Sequence, residues 1–140
     1  MDGRSPEQVG KHAVWLALAR ASFGAPALAA PELVVRMLGL SRRRPDDSHR
    51  FFGGFFGVRE LLLGAFLLAA RRDFRRLGPT VAFGALADLG DTALLVRELV
   101  RRQEIEPGVA FLLASGLAGS AASIALWYEV RQVGGDPQAP

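Results

Sequence analysis

Residues 51–70 read FFGGFFGVRELLLGAFLLAA. The stretch has the roughly 20 residues that an α-helix needs to cross the hydrocarbon of a bilayer, and its only charges, Arg59 and Glu60, sit in its middle. Three further windows share this character: Ala13 to Ala30 holds only Arg20, Thr80 to Val96 holds only Asp88 and Asp91, and Val109 to Tyr128 holds no charge. A charge at the centre of a bilayer is costly and normally faces a bundle interior, where it meets a partner or lines a wet cavity. The windows therefore predict an all-α fold, a bundle of four transmembrane helices with a buried polar centre.

With 140 residues, 50% of them hydrophobic, the chain has material for one core. Residues 1–133 are expected to form a single four-helix membrane domain and residues 134–140 a disordered tail. The mean hydropathy of +0.21 is low for a membrane protein, because strongly basic connectors dilute the apolar windows. Of 17 basic residues only Lys11 is a lysine, and the formal net charge is +3. The runs Arg42 to Arg44, Arg71 to Arg76, and Arg101 with Arg102 flank apolar windows, where they suit anionic headgroups of a lipid bilayer. They are not interleaved with exposed aromatics, which argues against nucleic acid as a partner. The absence of cysteine excludes disulfides and Cys-ligated metals. Arg4 and Lys11 before an apolar run, with Ala27-Leu28-Ala29 after it, have the form of a cleavable signal. Arg20 interrupts that run, and the acids of later windows need a partner, so a retained first helix is expected.

The first helix is expected from Pro6 to Ala29, with Pro26 bending its last turn. Pro31 then opens a short piece to Leu40, with Leu33, Val34, Met37 and Leu38 on one side and Glu32 and Arg36 on the other, the pattern of an interfacial amphipathic helix. Ser41 to Arg50 reads as a polar loop. The second long helix is expected over Phe51 to Arg72, a turn at Leu77-Gly78-Pro79, the third over Pro79 to Arg102 and the fourth from Pro107 to Gln132. Trp15, Trp127 and Tyr128 are placed as interface anchors on one side of the membrane.

Helical periodicity aims the charges. Ala13, Ala17, Arg20, Gly24 and Ala27 form one stripe, Gly53, Gly57, Glu60 and Gly64 a second, and Gly84, Asp88, Asp91 and Leu95 a third. Ser115, Gly119 and Ser123 offer a fourth. Small residues are what let membrane helices approach closely. Arg59 lies beside the Glu60 stripe and can stack on a Phe or reach the acids. A central Asp or Arg costs about 2.5–3.5 kcal/mol on insertion, whereas a Leu or Val returns only about 0.3–0.6, so the acids are expected to meet Arg20 and Arg59. With two arginines facing three carboxylates, either Arg97 joins or one carboxyl keeps its proton, since burial favours the neutral form. Such a carboxyl beside an arginine is suited to general acid catalysis. In that reading Glu60, Asp88 and Asp91 are the acid and base groups, and Arg20, Arg59, Gly57, Gly84 and Ser115 border a hydrophobic small molecule. A purely structural ion-pair lock has the same sequence signature. Asp88-Leu-Gly-Asp91 is too short to serve as a diphosphate metal motif, and it lacks a second acidic cluster, so no metal and no cofactor are expected. His12, beside Lys11, reads as a poor base, and Asp46, Asp47 and His49 as solvated loop residues.

Arg20-Ala21-Ser22-Phe23-Gly24, Phe56-Gly57-Val58-Arg59-Glu60-Leu61 and Asp88-Leu89-Gly90-Asp91 together resemble a family of uncharacterised small four-helix membrane proteins of bacteria and fungi, a domain of unknown function. The resemblance runs from about Val14 to Tyr128. It implies a four-span topology and no established activity; the expected location is a membrane, the bacterial cytoplasmic one.

Two functions compete. In the first, the helices enclose a hydrophobic ligand and the charges perform cofactor-free isomerisation or cyclisation. In the second, a non-catalytic membrane module uses the charges as a lock and its small-residue faces to dock a partner or a second copy, as a homo-oligomer. A proton-coupled transporter is disfavoured by size, and a soluble four-helix bundle is the alternative fold.

Overall fold

The computed structural model describes residues 5–37, 47–102 and 107–134. Five α-helices account for the elements among them: α1 (Pro6–Ala29), α2 (Pro31–Met37), α3 (Asp47–Ala70), α4 (Phe74–Arg102) and α5 (Pro107–Gly134). Three have the length and composition to cross a membrane, over Phe51–Ala70, Phe74–Arg101 and Gly108–Gly134. α1 has the length but is not among these three.

α1 starts where the sequence says it should. Ser5 Oγ accepts from Gln8 N, the Gln8 side chain accepts from Ser5 N, and Pro6 takes the first helical position, so the otherwise orphaned N–H groups of the first turn are satisfied or absent. α3 begins earlier than the expected Phe51 and stops at Ala70. The larger correction concerns α4. The turn falls at 71–73 rather than at Leu77-Gly78-Pro79, because Asp73 Oδ1 accepts from Arg75 N (3.1 Å) and Arg76 N (3.3 Å) and caps a helix that starts at Phe74. Pro79 is tolerated inside the early turns, where it removes a single backbone donor. The interfacial reading of Pro31 to Leu40 reaches past the described residues at 38–40; the expected tail, apart from Gly134 at the end of α5, lies outside them, as do Asp46 and the rest of 41–46.

α1 lies along α3, and α4 lies along α5, each over much of its length; α2 packs on the start of α3, and the two pairs meet more sparingly through α3–α4 and α1–α5. Alternating direction puts the start of α1 and the end of α5 at the same end of the bundle. An apolar core fills that end: Val9, Ala13 and Ala17 of α1, Leu67 and Ala70 of α3, Leu77 and Val81 of α4, and Leu126, Val130 and Val133 of α5. Among the described residues the largest fully buried side chains are Leu77, Val9, Val81 and Ser123, while Phe51, Phe52, Phe55, Phe66, Phe83, Phe111 and Trp15 are exposed. A soluble bundle buries its aromatics to gain hydrophobic free energy. This one packs small residues inside and turns large apolar ones outward, which suits a hydrocarbon surround.

The close contacts are at glycines. A Cβ on Gly57 would stand 2.6 Å from Leu28 N and 2.8 Å from Gly24 O, so α1 and α3 cross backbone on backbone there. Between α4 and α5, a Cβ on Gly116 would meet Thr92 Oγ1 at 2.5 Å.

Candidate functional site

Above the apolar core, at mid-height of the bundle, α1 contributes Arg20, α3 Arg59 and Glu60, and α4 Asp88 and Asp91. Arg20 is 5% exposed and forks onto Asp88, with Nη2 donating to Oδ2 (2.6 Å) and Nη1 to Oδ1 (3.2 Å), while Nη1 also reaches Glu60 Oε2 at 2.9 Å. Arg59 Nη2 donates to Glu60 Oε1 (2.8 Å) and Asp88 Oδ1 (3.0 Å), its Nη1 pairs with Asp91 Oδ2, and its guanidinium lies 5.5 Å over the Phe56 ring. Glu60 and Asp88 therefore each bridge both arginines, and the network joins three helices. Bidentate guanidinium–carboxylate geometry fixes orientation as well as adding charge-assisted bonds. From α5, Ser123 Oγ accepts from Arg20 Nη2 at 3.5 Å.

Local packing explains why the charges converge. A Cβ on Gly84 would lie 3.1 Å from Arg20 Nη2, and one on Gly119 3.0 Å from Asp88 Oδ2, so both glycines are where the guanidinium and carboxylate need room. Thr92 Oγ1 donates to Asp88 O (2.8 Å) while facing Gly116.

Of the sequence-derived candidates, Arg20, Arg59, Glu60, Asp88 and Asp91 come together, and Gly84 stands beside them. Gly57 lies in the α1–α3 crossing, where its missing side chain serves helix approach. Ser115 is not brought to the cluster: its hydroxyl donates to Phe111 O of its own helix (2.8 Å). The α5 seam runs through Gly116, Ser120 and Ser123, and one residue of offset turns Ser115 about 100° away. Periodicity puts Asp91 on the Asp88 face, yet the buried row continues Gly84, Asp88, Thr92 at intervals of four residues. Asp91 instead points across to α3, its side chain 41% exposed against 21% for Arg59. Arg97, the other cation proposed for the cluster, is exposed.

A second polar tie was not foreseen. His12 Nδ1 and Glu129 Oε2 are 2.6 Å apart, joining α1 to α5 beside the apolar core. A weaker signal was available for the neighbouring contact, since Trp127 and Arg131 are four residues apart and the guanidinium sits 4.2 Å over the indole.

Space at the cluster is small. The gap beside Arg20, bordered by Leu16, Leu63, Val81, Gly84 and Ser123, has no room for a water molecule. Two buried donors, Arg20 Nε and Arg59 Nε, have no partner.

Apolar helices of spanning length, small-residue seams and a paired intramembrane charge cluster define the class, a small helical membrane protein. The chain belongs to the family described as a domain of unknown function, DUF4267, whose model matches residues 17–128. No curated protein and no solved structure matches it.

Proposed function

We propose that this chain is a non-catalytic membrane module in which four helices cross the bilayer and the Arg20–Arg59–Glu60–Asp88–Asp91 cluster locks the α1–α3 pair onto the α4–α5 pair. The carrying observation is that every one of the three carboxylates is bound by an arginine, and that Arg20–Asp88, Arg59–Asp88 and Arg59–Asp91 cross from one helix pair to the other. A hydrophobic ligand normally needs a pocket of about 300–1,000 Å³, and the gap at Arg20 is well below that. α1 qualifies as the fourth span because it runs along α3 and its single mid-helix charge is neutralised there. Exposed Leu33 beside Glu32 and Arg36 supports an interfacial place for α2.

The test is a double-mutant cycle on Arg20 and Asp88 in the detergent-solubilised chain. Arg20→Met alone strands carboxylates, and Arg20→Met with Asp88→Leu restores part of the loss. Additive effects would rule out the lock.

One observation favours a second reading, acid–base chemistry by Glu60, Asp88 and Asp91 on a hydrophobic molecule: the Arg59–Asp91 edge is partly exposed. Under that reading Asp91→Asn removes a co-purifying hydrophobic molecule, detected by mass spectrometry of an organic extract, and leaves unfolding unchanged. Identical extracts from both proteins would eliminate it.

A further inference from the structure

At the end of the bundle that holds the chain's first helical turn, a groove of about 550 Å³ opens between α1 and the α3–α4 turn. Its lining brings Lys11, Arg71 and Arg72 together with Trp15, Leu18 and Phe74. We propose that this groove binds one anionic phospholipid, its phosphate held by the three cations and its acyl chain laid along Trp15 and Leu18.

Depth and charge carry the assignment. Arg71 and Arg72 directly follow the apolar span that ends at Ala70, which puts them at headgroup level. Gly10 of α1 is at the same height, since a Cβ there would lie 3.2 Å from Arg71 O. Leu18 comes eight residues later, about 12 Å deeper along the helix. The groove thus passes from cationic to apolar along the direction in which a phospholipid passes from phosphate to acyl chain. Trp15 is 70% exposed there, a position at which an indole meets both regions. The lining holds one acid, Glu7, and it is engaged by Lys11 Nζ at 2.7 Å. Positive charge therefore remains in excess. Arg71 uses Nη1 on Leu68 O at 2.6 Å, which fixes the guanidinium at the rim, and a guanidinium has five donors in all. Basic recesses between membrane helices select anionic headgroups in this way.

The inference rests on membrane embedding of α1, and the experiment separates the two. In the full-length chain carrying Trp127→Phe, Trp15 is the remaining tryptophan. Its fluorescence is titrated in bicelles with phosphatidylglycerol or phosphatidylcholine bearing brominated acyl chains. Phosphatidylglycerol is expected to quench at a several-fold lower mole fraction. Lys11→Gln with Arg72→Gln removes two cations, each worth about 5-fold at the membrane surface, and is expected to abolish that preference. Arg76→Gln, which removes a neighbouring charge outside the groove, leaves it unchanged. Equal quenching by both lipids, a preference that survives the double substitution, or displacement by inorganic phosphate would each overturn the lipid site. Absence of quenching by either lipid would overturn the embedding of α1 as well, a distinct result.

Discussion

The seams within the two helix pairs and the seam between the pairs are built from different chemistry. Within pairs, α1 meets α3 at Gly24 and Gly57, and α4 meets α5 at Gly116 and Gly119, where backbone or short polar atoms come close enough to forbid a methyl group without displacement. Between pairs, the apolar core at one end is supplemented by polar contacts: Arg20 and Arg59 against Asp88, Arg59 against Asp91, and His12 beside Glu129; Glu60 stays within its own pair and braces both arginines. In hydrocarbon, apolar side chains gain little from leaving lipid for each other, so close van der Waals contact and polar bonds must hold helices together. Shape makes the pairs; ionic contacts reinforce the seam that joins them.

The strongest way to break this division is at the buried arginine. Arg20→Met leaves Glu60 and Asp88 short of a partner and is expected to cost about 3–5 kcal/mol of unfolding free energy in mixed micelles. A cost no larger than that of a surface substitution would mean that the inter-pair seam holds without the cluster. Arg59→Gln acts at the partly exposed edge and removes charge-assisted bonds worth about 1.5–3 kcal/mol; a loss exceeding that of Arg20→Met would reverse the assigned order of importance.

The within-pair seam can be sharpened by adding one methyl group at two neighbouring places. Gly57→Ala puts a Cβ 2.6 Å from Leu28 N and is expected to destabilise by about 1–3 kcal/mol through overpacking. Gly54→Ala meets nothing within 4 Å and is expected to stabilise by roughly 0.5–1 kcal/mol by helix propensity. The same sign for both, in unfolding measurements side by side, would show that the Gly57 crossing is looser than described.

The smallest effect lies outside both seams. The hydrogen bond and charge of Lys11 hold the exposed Glu7 carboxyl below its ordinary value of 4.5. Its contribution to α1 is full above that ordinary value and is lost as pH falls through the lowered folded one. Comparing acid unfolding of the native chain and Glu7→Gln reads it; a larger contribution from Glu7 at acid pH than at neutral pH would contradict the sign.

Much of the cluster was legible because helical period and insertion cost point the same way. Arg20 lies on a stripe of alanines and glycine, and that stripe is the buried face of α1. Glu60 sits among glycines for the same reason. Structure and sequence pattern part where the answer hinges on one residue of rotation. Spacings of three and four both keep to one helix face, so period alone does not separate Asp91 from Thr92 in the row through Asp88. Ser115 and Gly116 posed the same choice on α5. The α4 boundary departs from the sequence pattern because Leu77-Gly78-Pro79 carries conspicuous breakers, whereas Asp73 at the cap is a quieter signal that prevails by satisfying free N–H groups.

By itself the sequence determined that the chain is helical, that its long apolar segments match the dimensions of a bilayer, and that their mid-segment charges must find one another. These follow from local period and from the cost of charge in hydrocarbon, both readable along a single segment. Only the tertiary structure decided which carboxylate forks onto which arginine, that His12 meets Glu129 across the bundle, and that Ser123 rather than Ser115 faces the cluster. Those outcomes depend on the rotation and depth of one helix against another, set by side-chain contacts between residues 117 apart in the case of His12 and Glu129 and 103 apart for Arg20 and Ser123.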